Sequence, residues 1–251
     1  MLILFSLIVM RMTGAIVFNP IFGRNSVPAR MKAGLVLFLS LLLYGGFGGE
    51  LSHQPAGILE YGVMMLTELF VGFVLGFSME LAVMILRFAS AVMDFSMGLS
   101  MAQVYDPQYN GQVTVTSGVY YGFLVLLFFA TNCHLRVIQI FFQSADVLPF
   151  GMVTLNTELP QAILVVFREN IAMGLQYAFP LIAIELVTEA AVGILMRMIP
   201  QINVFSVNFQ IKIIVGLLTL LILFSPMSDR IYQIFDNMLA FMEDALLLLA
   251  P

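Results

Sequence analysis

The fold class follows from one stretch of the chain, residues 61–86, which read YGVMMLTELFVGFVLGFSMELAVMIL. As an α-helix, this apolar run is long enough to cross a hydrocarbon core of roughly 30 Å. Comparable or slightly shorter apolar stretches occupy residues 2–18, 33–47, 119–145, 162–196 and 213–226. Short breaks that contain Gly, Pro or Asn separate these stretches. The pattern predicts an all-α, polytopic protein of the membrane type.

The composition indicates that lipid or other apolar protein surrounds most of the chain. Of the 251 residues, 61% are hydrophobic and 10% are charged, whereas soluble domains are about 45–50% apolar and about 25% charged. No polar stretch is long enough for a separate soluble domain, so we expect a single domain over residues 1–251. Lys and Arg form no cluster, which argues against nucleic acid as a partner.

The residues offer no pattern for catalysis, for a cofactor or for a metal. Cys133 is the single cysteine, and His53 and His134 lie far apart in the sequence. Motifs for an activated nucleophile, a phosphate-binding loop or a dinucleotide are missing. We therefore expect a protein that is not an enzyme and that needs no cofactor. His134 and Arg136 are interpreted as a hydrogen-bonded structural pair in preference to a proton relay.

Ionised side chains inside the apolar stretches need an explanation, because a charge at the bilayer centre costs roughly 2.5–3.5 kcal/mol. Burial against protein, or beside a wet channel, would lower that cost, although Arg87 could also reach water from a helix edge. Glu80, Arg87 and Asp94 recur every seven residues, which keeps them near one helical face. The candidates for buried charges are Glu68, Glu80, Arg87, Asp94, Glu185 and Glu189.

Two of these candidates, Glu185 and Glu189, lie four residues apart and would repel each other on one helix. A neighbouring cation would relieve the repulsion, and Arg197 is the nearest candidate in the sequence. Two G-x-x-x-G spacings, at 72–76 and 118–122, would allow close approach between helix backbones. Such spacings occur often by chance, so neither identifies a partner helix.

The C-terminal segment 227–251 differs from the apolar stretches. Its apolar residues recur at the i, i+3, i+4 and i+7 spacing, which predicts an amphipathic helix. The other face is acidic and lacks Lys, so packing on a partner is favoured over a position in the membrane interface. The apolar stripe comprises Ile231, Ile234, Phe235, Met238, Met242, Ala245, Leu246 and Leu249.

A family resemblance rests on residues 197–205, RMIPQINVF. This run resembles the R-x-x-P-Q-x-N-x-F signature of the FliR family and its virulence-secretion counterparts, through Arg197, Pro200, Gln201, Asn203 and Phe205, with Lys212 following. Further matches lie in the same order along the chain, at residues 20–23, 27–30, 98, 106–107, 128–129, 134 and 148–151. One departure occurs at residues 208–210, where Asn-Phe-Gln replaces the family's frequent Gly-Phe-Pro and removes a helix breaker.

The resemblance implies a subunit of the flagellar type III protein-export gate, in the bacterial inner (cell) membrane at the flagellar basal body. Members of the family look like a FliP-type and a FliQ-type helical hairpin unit joined in one chain. They assemble with FliP-like and FliQ-like subunits into a conical multi-subunit core, which would bury charged helices against neighbouring chains. An FlhB-like subunit, membrane lipid and unfolded flagellar proteins are the other implied partners.

The resemblance also implies that a loop plugs the closed pore. In this chain the loop aligns with residues 101–113, where Pro107 restricts the backbone, Gly111 permits an unusual turn, and Tyr105 and Tyr109 add bulk. An ordinary exposed loop is the alternative interpretation. The expected plug residues are Gln103, Val104, Tyr105, Asp106, Pro107, Gln108, Tyr109, Asn110, Gly111 and Gln112.

A stand-alone transporter of small solutes is the alternative function. Its site near the membrane midplane would be lined by Glu80, Arg87, Glu185 and Glu189. This alternative predicts activity without other subunits and, commonly, two similar halves, yet no convincing internal repeat is visible in the sequence. Between flagellar and virulence-type secretion, the overall resemblance favours the flagellar type.

Overall fold

A computed structural model of the chain describes residues 2–46, 51, 53–101, 104–106, 111–153, 158–199 and 204–250. Helices account for nearly all of these residues, which confirms the all-α prediction. The helices are α1 (Leu2–Val17), α2 (Ala29–Gly46), α3 (Ile58–Ser96), α4 (Val115–Ala130), α5 (Cys133–Val147), α6 (Glu158–Met198) and α7 (Val204–Leu249). Between α3 and α4 lie a 3₁₀ turn (Leu99–Met101) and two short strands, β1 (Val104–Asp106) and β2 (Gly111–Val113).

Four helices in the described ranges are long and apolar enough to cross a membrane: α2, α3, α6 and, from Val207, α7. Together α4 and α5 would supply a fifth span, broken by a bend of 69°. Asn132, at the bend, has a φ of 58°, a left-handed conformation that Asn tolerates better than most residues. The 16 residues of α1 extend only about 24 Å, less than the ~30 Å hydrocarbon core. Six apolar stretches in the sequence therefore correspond to at most five spans.

One compact unit comprises Met1–Val83, Phe128–Phe167 and Phe235–Pro251. Within this unit, α1 crosses the first half of α3 at very short range. A Cβ added to Gly14 would lie 2.7 Å from the nitrogen of Phe73, and one added to Gly72 would lie 2.8 Å from the nitrogen of Ala15. Real Cβ atoms do not tolerate such distances, so the crossing requires glycine at both positions. The first G-x-x-x-G spacing therefore marks a real helix contact.

The second unit comprises Met84–Leu127 and Arg168–Ile234. In this unit α6 approaches α3 at Gly174, where an added Cβ would lie 2.9 Å from the Phe88 ring. The second G-x-x-x-G spacing behaves differently, because added Cβ atoms on Gly118 and Gly122 would meet nothing within 4 Å. Both glycines are exposed on α4, so this spacing makes no helix contact within the described part of the chain.

The C-terminal stripe is buried inside the protein. α7 continues through Pro226 to Leu249 without a break, so the segment after Pro226 is the end of a longer helix and not a separate one. All eight apolar residues of the stripe are buried, whereas the acidic and amidic residues between them are exposed. The expectation that a partner or a membrane interface covers this face was wrong. Segments of the same chain cover it, which helical periodicity cannot reveal.

Candidate functional site

A fully buried ion pair lies in the first unit. Arg11 Nε donates a hydrogen bond to Glu68 Oε2 at 2.6 Å, and both side chains are 0% exposed. Arg11 Nη1 donates to the carbonyl oxygen of Ser144 at 2.7 Å, and Nη2 donates to that of Leu148 at 3.0 Å. The amide of Gly151 donates to Glu68 Oε1 at 2.9 Å. Each charged group thus has several hydrogen-bond partners, which offset the cost of its desolvation.

This cluster joins α1, α3, the end of α5 and the loop that follows it. The guanidinium of Arg11 also lies 4.2 Å from the centroid of the Phe150 ring, within cation–π range. Gly151 has a φ of 85°, a left-handed conformation that favours glycine. Residues 148–151, noted above for their family resemblance, therefore surround the ion pair. Sequence reasoning named Glu68 but missed Arg11, although an Arg within the first apolar stretch was a usable signal.

The segment expected to act as a plug contains a β-hairpin. Its strands pair antiparallel, with Val104 opposite Val113, Tyr105 opposite Gln112, and Asp106 opposite Gly111. The expected loop thus includes two short paired strands, and this pairing satisfies backbone groups that an unpaired loop leaves to water. The remaining plug candidates, Gln103, Pro107, Gln108, Tyr109 and Asn110, lie outside the described residues.

Asp94 is buried and accepts hydrogen bonds from the first turn of α4, the helix that directly follows the hairpin. Its Oδ2 accepts a hydrogen bond from the Thr116 amide at 3.1 Å, and its Oδ1 accepts one from the Thr116 hydroxyl. Since Thr116 is the second residue of α4, the carboxylate caps the helix N-terminus and interacts favourably with the helix dipole. The other two residues of the seven-residue series, Glu80 and Arg87, are only half-buried. Arg87 lies 5.9 Å from the centroid of the Tyr121 ring.

On the other side of the hairpin, α3 ends at Ser96 and the chain turns at Gly98. Gly98 has a φ of 77°, and its amide donates to the carbonyl oxygen of Phe95 at 3.1 Å. This is a left-handed helix cap, for which glycine is strongly preferred. A Cβ added to Gly98 would also lie 3.4 Å from the Phe209 ring. The helix ends on the two sides of the hairpin are therefore capped, α3 by Gly98 and α4 by the hydrogen bonds that Thr116 donates to Asp94.

Glu189 of α6 forms an ion pair with a lysine of α7. Lys212 Nζ lies 3.3 Å from Glu189 Oε1, and the Glu189 side chain is 55% exposed. Two expectations were therefore wrong, since Glu189 is not buried and its cation is Lys212, not Arg197. Arg197 is exposed in the last turn of α6. Spacing along one helix cannot find a cation that a neighbouring helix supplies.

Glu185 is the remaining buried carboxylate. The residue is 3% exposed, and neither of its carboxylate oxygens has a hydrogen-bond partner among the described residues. A Cβ added to Gly216 of α7 would lie 3.0 Å from Glu185 Oε1, so the glycine makes room for this side chain.

The rest of the signature motif is only partly described. Phe205 and Lys212 belong to α7, whereas Pro200, Gln201 and Asn203 lie outside the described residues. α7 runs through residues 208–210 without a break, consistent with the absence of proline there.

The pairing expected for His134 is not observed. Its Nδ1 is buried without a hydrogen-bond partner in the part of the chain that the structure describes, and its ring centroid lies 5.1 Å from that of Phe129. Arg136 instead lies 3.5 Å from Asp236, in a pair with side chains 62% and 73% exposed. The neighbour of Arg136 comes from α7, which sequence adjacency did not indicate.

Comparisons with known proteins agree along nearly the whole chain. A family model described as bacterial export proteins, family 1, matches residues 2–238. The flagellar biosynthetic protein FliR of Escherichia coli (strain K12) is 28% identical over 236 residues, covering 92% of this chain and 89% of that protein. The protein of the same name from Bacillus subtilis (strain 168) is 25% identical over 249 residues, covering 97% and 95%. That from Aquifex aeolicus (strain VF5) is 27% identical over 203 residues, covering 81% and 78%.

Proposed function

Because this chain belongs to the bacterial export proteins of family 1, we propose that it is a subunit of the flagellar type III protein-export apparatus in the bacterial inner membrane. The main support for this proposal is the family match over residues 2–238, together with similarity to proteins named FliR over most of their length. The long apolar helices agree with a place in a membrane. The sequence contains no nucleotide-binding motif, so we propose that other components supply the energy for export.

The partners that we propose are FliP-like, FliQ-like and FlhB-like subunits, with unfolded flagellar proteins as the cargo. In this assembly the chain would resemble a FliP-type and a FliQ-type unit joined together within a conical core. Support comes from the apolar windows of α6 and α7, of which only 17% and 11% of the residues are buried. Large side chains such as Val187, at 71% exposed, and Ile222, at 76%, need cover from lipid or from other chains.

Two of the buried charges do not require those neighbouring subunits. Glu68 is already paired with Arg11, and Asp94 with Thr116, within this chain. The hypothesis that other polypeptides must neutralise the ionised groups is therefore unnecessary for these two residues. Assembly is supported by the exposed apolar surface instead.

We place the plug of the closed pore in residues 103–112. Support comes from the antiparallel pairing of residues 104–106 with residues 111–113. The caps at Gly98 and Thr116 fix the helix ends on the two sides of this pair. Its displacement would open the path for a polypeptide.

The plug is tested by replacing residues 104–112 with a Gly-Ser linker of equal length. We expect increased leakage of small ions in cells that express the apparatus, while co-purification with the FliP-like and FliQ-like subunits persists. Leu126→Ala is the control, because this side chain is 61% exposed on α4 and outside the hairpin. Unchanged ion permeability in an intact assembly would refute the plug. Loss of co-purification would identify the segment as an assembly element.

A stand-alone transporter is less well supported. None of the three relatives described above is named as a small-solute transporter, and Glu189 is exposed and paired with Lys212. That pairing removes one of the four side chains proposed for a midplane site.

A further inference from the structure

A cavity of about 150 Å³ lies between α6 and α7 in the second unit, and Met93 of α3 also lines it. Its lining includes Pro180 of α6 and Pro226 of α7, each inside its helix. A proline in a helix has no amide hydrogen, and its ring clashes with the preceding turn. Because two such positions border the same space, the helices leave a gap between them at this level.

Three polar side chains also line the cavity: Gln176, Tyr177 and Arg230. The hydroxyl of Tyr177 is buried and has no hydrogen-bond partner within the described ranges. Buried hydroxyl groups are nearly always hydrogen-bonded, to protein, water or ligand, so this hydroxyl is a donor still available beside the cavity. Arg230 Nη1 donates to Gln233 Oε1 at 3.1 Å, which leaves further guanidinium donors for a ligand.

The cavity lies at the end of an apolar run. Leu223 of its lining belongs to residues 213–224 of α7, whereas Arg230 follows this run by two turns and is exposed. Close to the cavity in sequence, Phe179 is 67% exposed and Leu221 is 72% exposed. Tyr and Arg at the end of an apolar helix are typical of the depth at which lipid head groups lie.

We propose that this cavity binds the phosphate group of an anionic phospholipid. The guanidinium of Arg230 matches phosphate in charge and geometry, and Tyr177 donates a second hydrogen bond. The volume suits a head group, and the exposed apolar surface beside it suits an acyl chain. That apolar surface favours a lipid over free phosphate and over an acidic side chain of another protein. The inference rests on the membrane character of the chain and is independent of the plug.

Native mass spectrometry of the full-length protein in detergent tests the proposal, with phosphatidylglycerol or phosphatidylcholine added. We expect preferential retention of phosphatidylglycerol. Arg230→Gln should weaken its binding roughly tenfold or more, and Tyr177→Phe about two- to tenfold, from the usual strengths of charged and neutral hydrogen bonds. The control is Arg197→Gln, because Arg197 is an exposed arginine of α6 that does not line the cavity.

Equal retention of the two lipids, or unchanged binding by Arg230→Gln, would overturn the proposal. Full competition by inorganic phosphate alone would identify a free-anion site instead. A cross-link from Arg230→Cys to another subunit in the assembled apparatus would identify a protein occupant. If Arg230→Gln fails to fold, Arg230→Lys, which keeps the charge but loses the planar fork, and Tyr177→Phe still decide the outcome.

Discussion

Removing the cation of the buried ion pair should destabilise the protein strongly. Arg11→Met leaves the Glu68 carboxylate fully buried, with only the Gly151 amide among the hydrogen-bond donors described for it. Breaking a buried pair by deleting one partner costs about 3–5 kcal/mol, because the remaining charge is uncompensated. The carbonyl oxygens of Ser144 and Leu148 also lose their bonds to the guanidinium. Against a total stability of roughly 5–15 kcal/mol, this loss is large.

The assay is reversible denaturation of the full chain in mixed micelles, followed by circular dichroism. The matched control is Arg136→Met, because Arg136 pairs with Asp236 in an exposed position, with side chains 62% and 73% exposed. An exposed pair contributes about 0–1 kcal/mol, so the control should remain close to the unaltered protein.

A double-mutant cycle completes the test. Arg11→Met combined with Glu68→Gln removes both charges while an amide oxygen can still accept from Gly151. The double variant should cost at least about 2 kcal/mol less than the sum of the two single changes, because buried partners couple strongly. Strict additivity, or an Arg11→Met variant as stable as Arg136→Met, would refute the reasoning.

Three other expectations concern helix contacts and caps. Gly72→Ala should lower stability by roughly 1–3 kcal/mol, because the added Cβ clashes with α1. Gly118→Ala has open space around it, so this change should be neutral or stabilising by up to about 1 kcal/mol. Thermal unfolding of the two variants compares these effects. Asp94→Asn should cost about 1–2 kcal/mol and speed hydrogen exchange in the first turn of α4, because the charged cap of Thr116 is lost, and unchanged exchange there would contradict the cap. Lys212→Gln should change stability by about 1 kcal/mol, since Glu189 is 55% exposed although Lys212 itself is only 18% exposed. A loss well above this in the same unfolding assay would contradict a weak, partly exposed pair.

The helices and their apolar faces could be predicted from the sequence, because both depend on local pattern. Long apolar runs specify helices that avoid water, and the spacing from Ile231 to Leu249 specified which side of α7 is buried. Family membership was also readable, since the signature around Arg197 to Lys212 is a matter of residue order.

Contacts between distant segments were decided only by the tertiary structure. Arg11 and Glu68 lie 57 positions apart in the sequence. Ser144 and Leu148, which accept the other hydrogen bonds of the guanidinium, lie 133 and 137 positions from Arg11. Lys212, and not the sequence neighbour Arg197, pairs with Glu189 for the same reason. Periodicity identifies which face of a helix is apolar and will be buried. Packing determines which other helix covers that face. A charge in an apolar run is therefore visible in the sequence, whereas its neutralising partner appears only when the chain has folded.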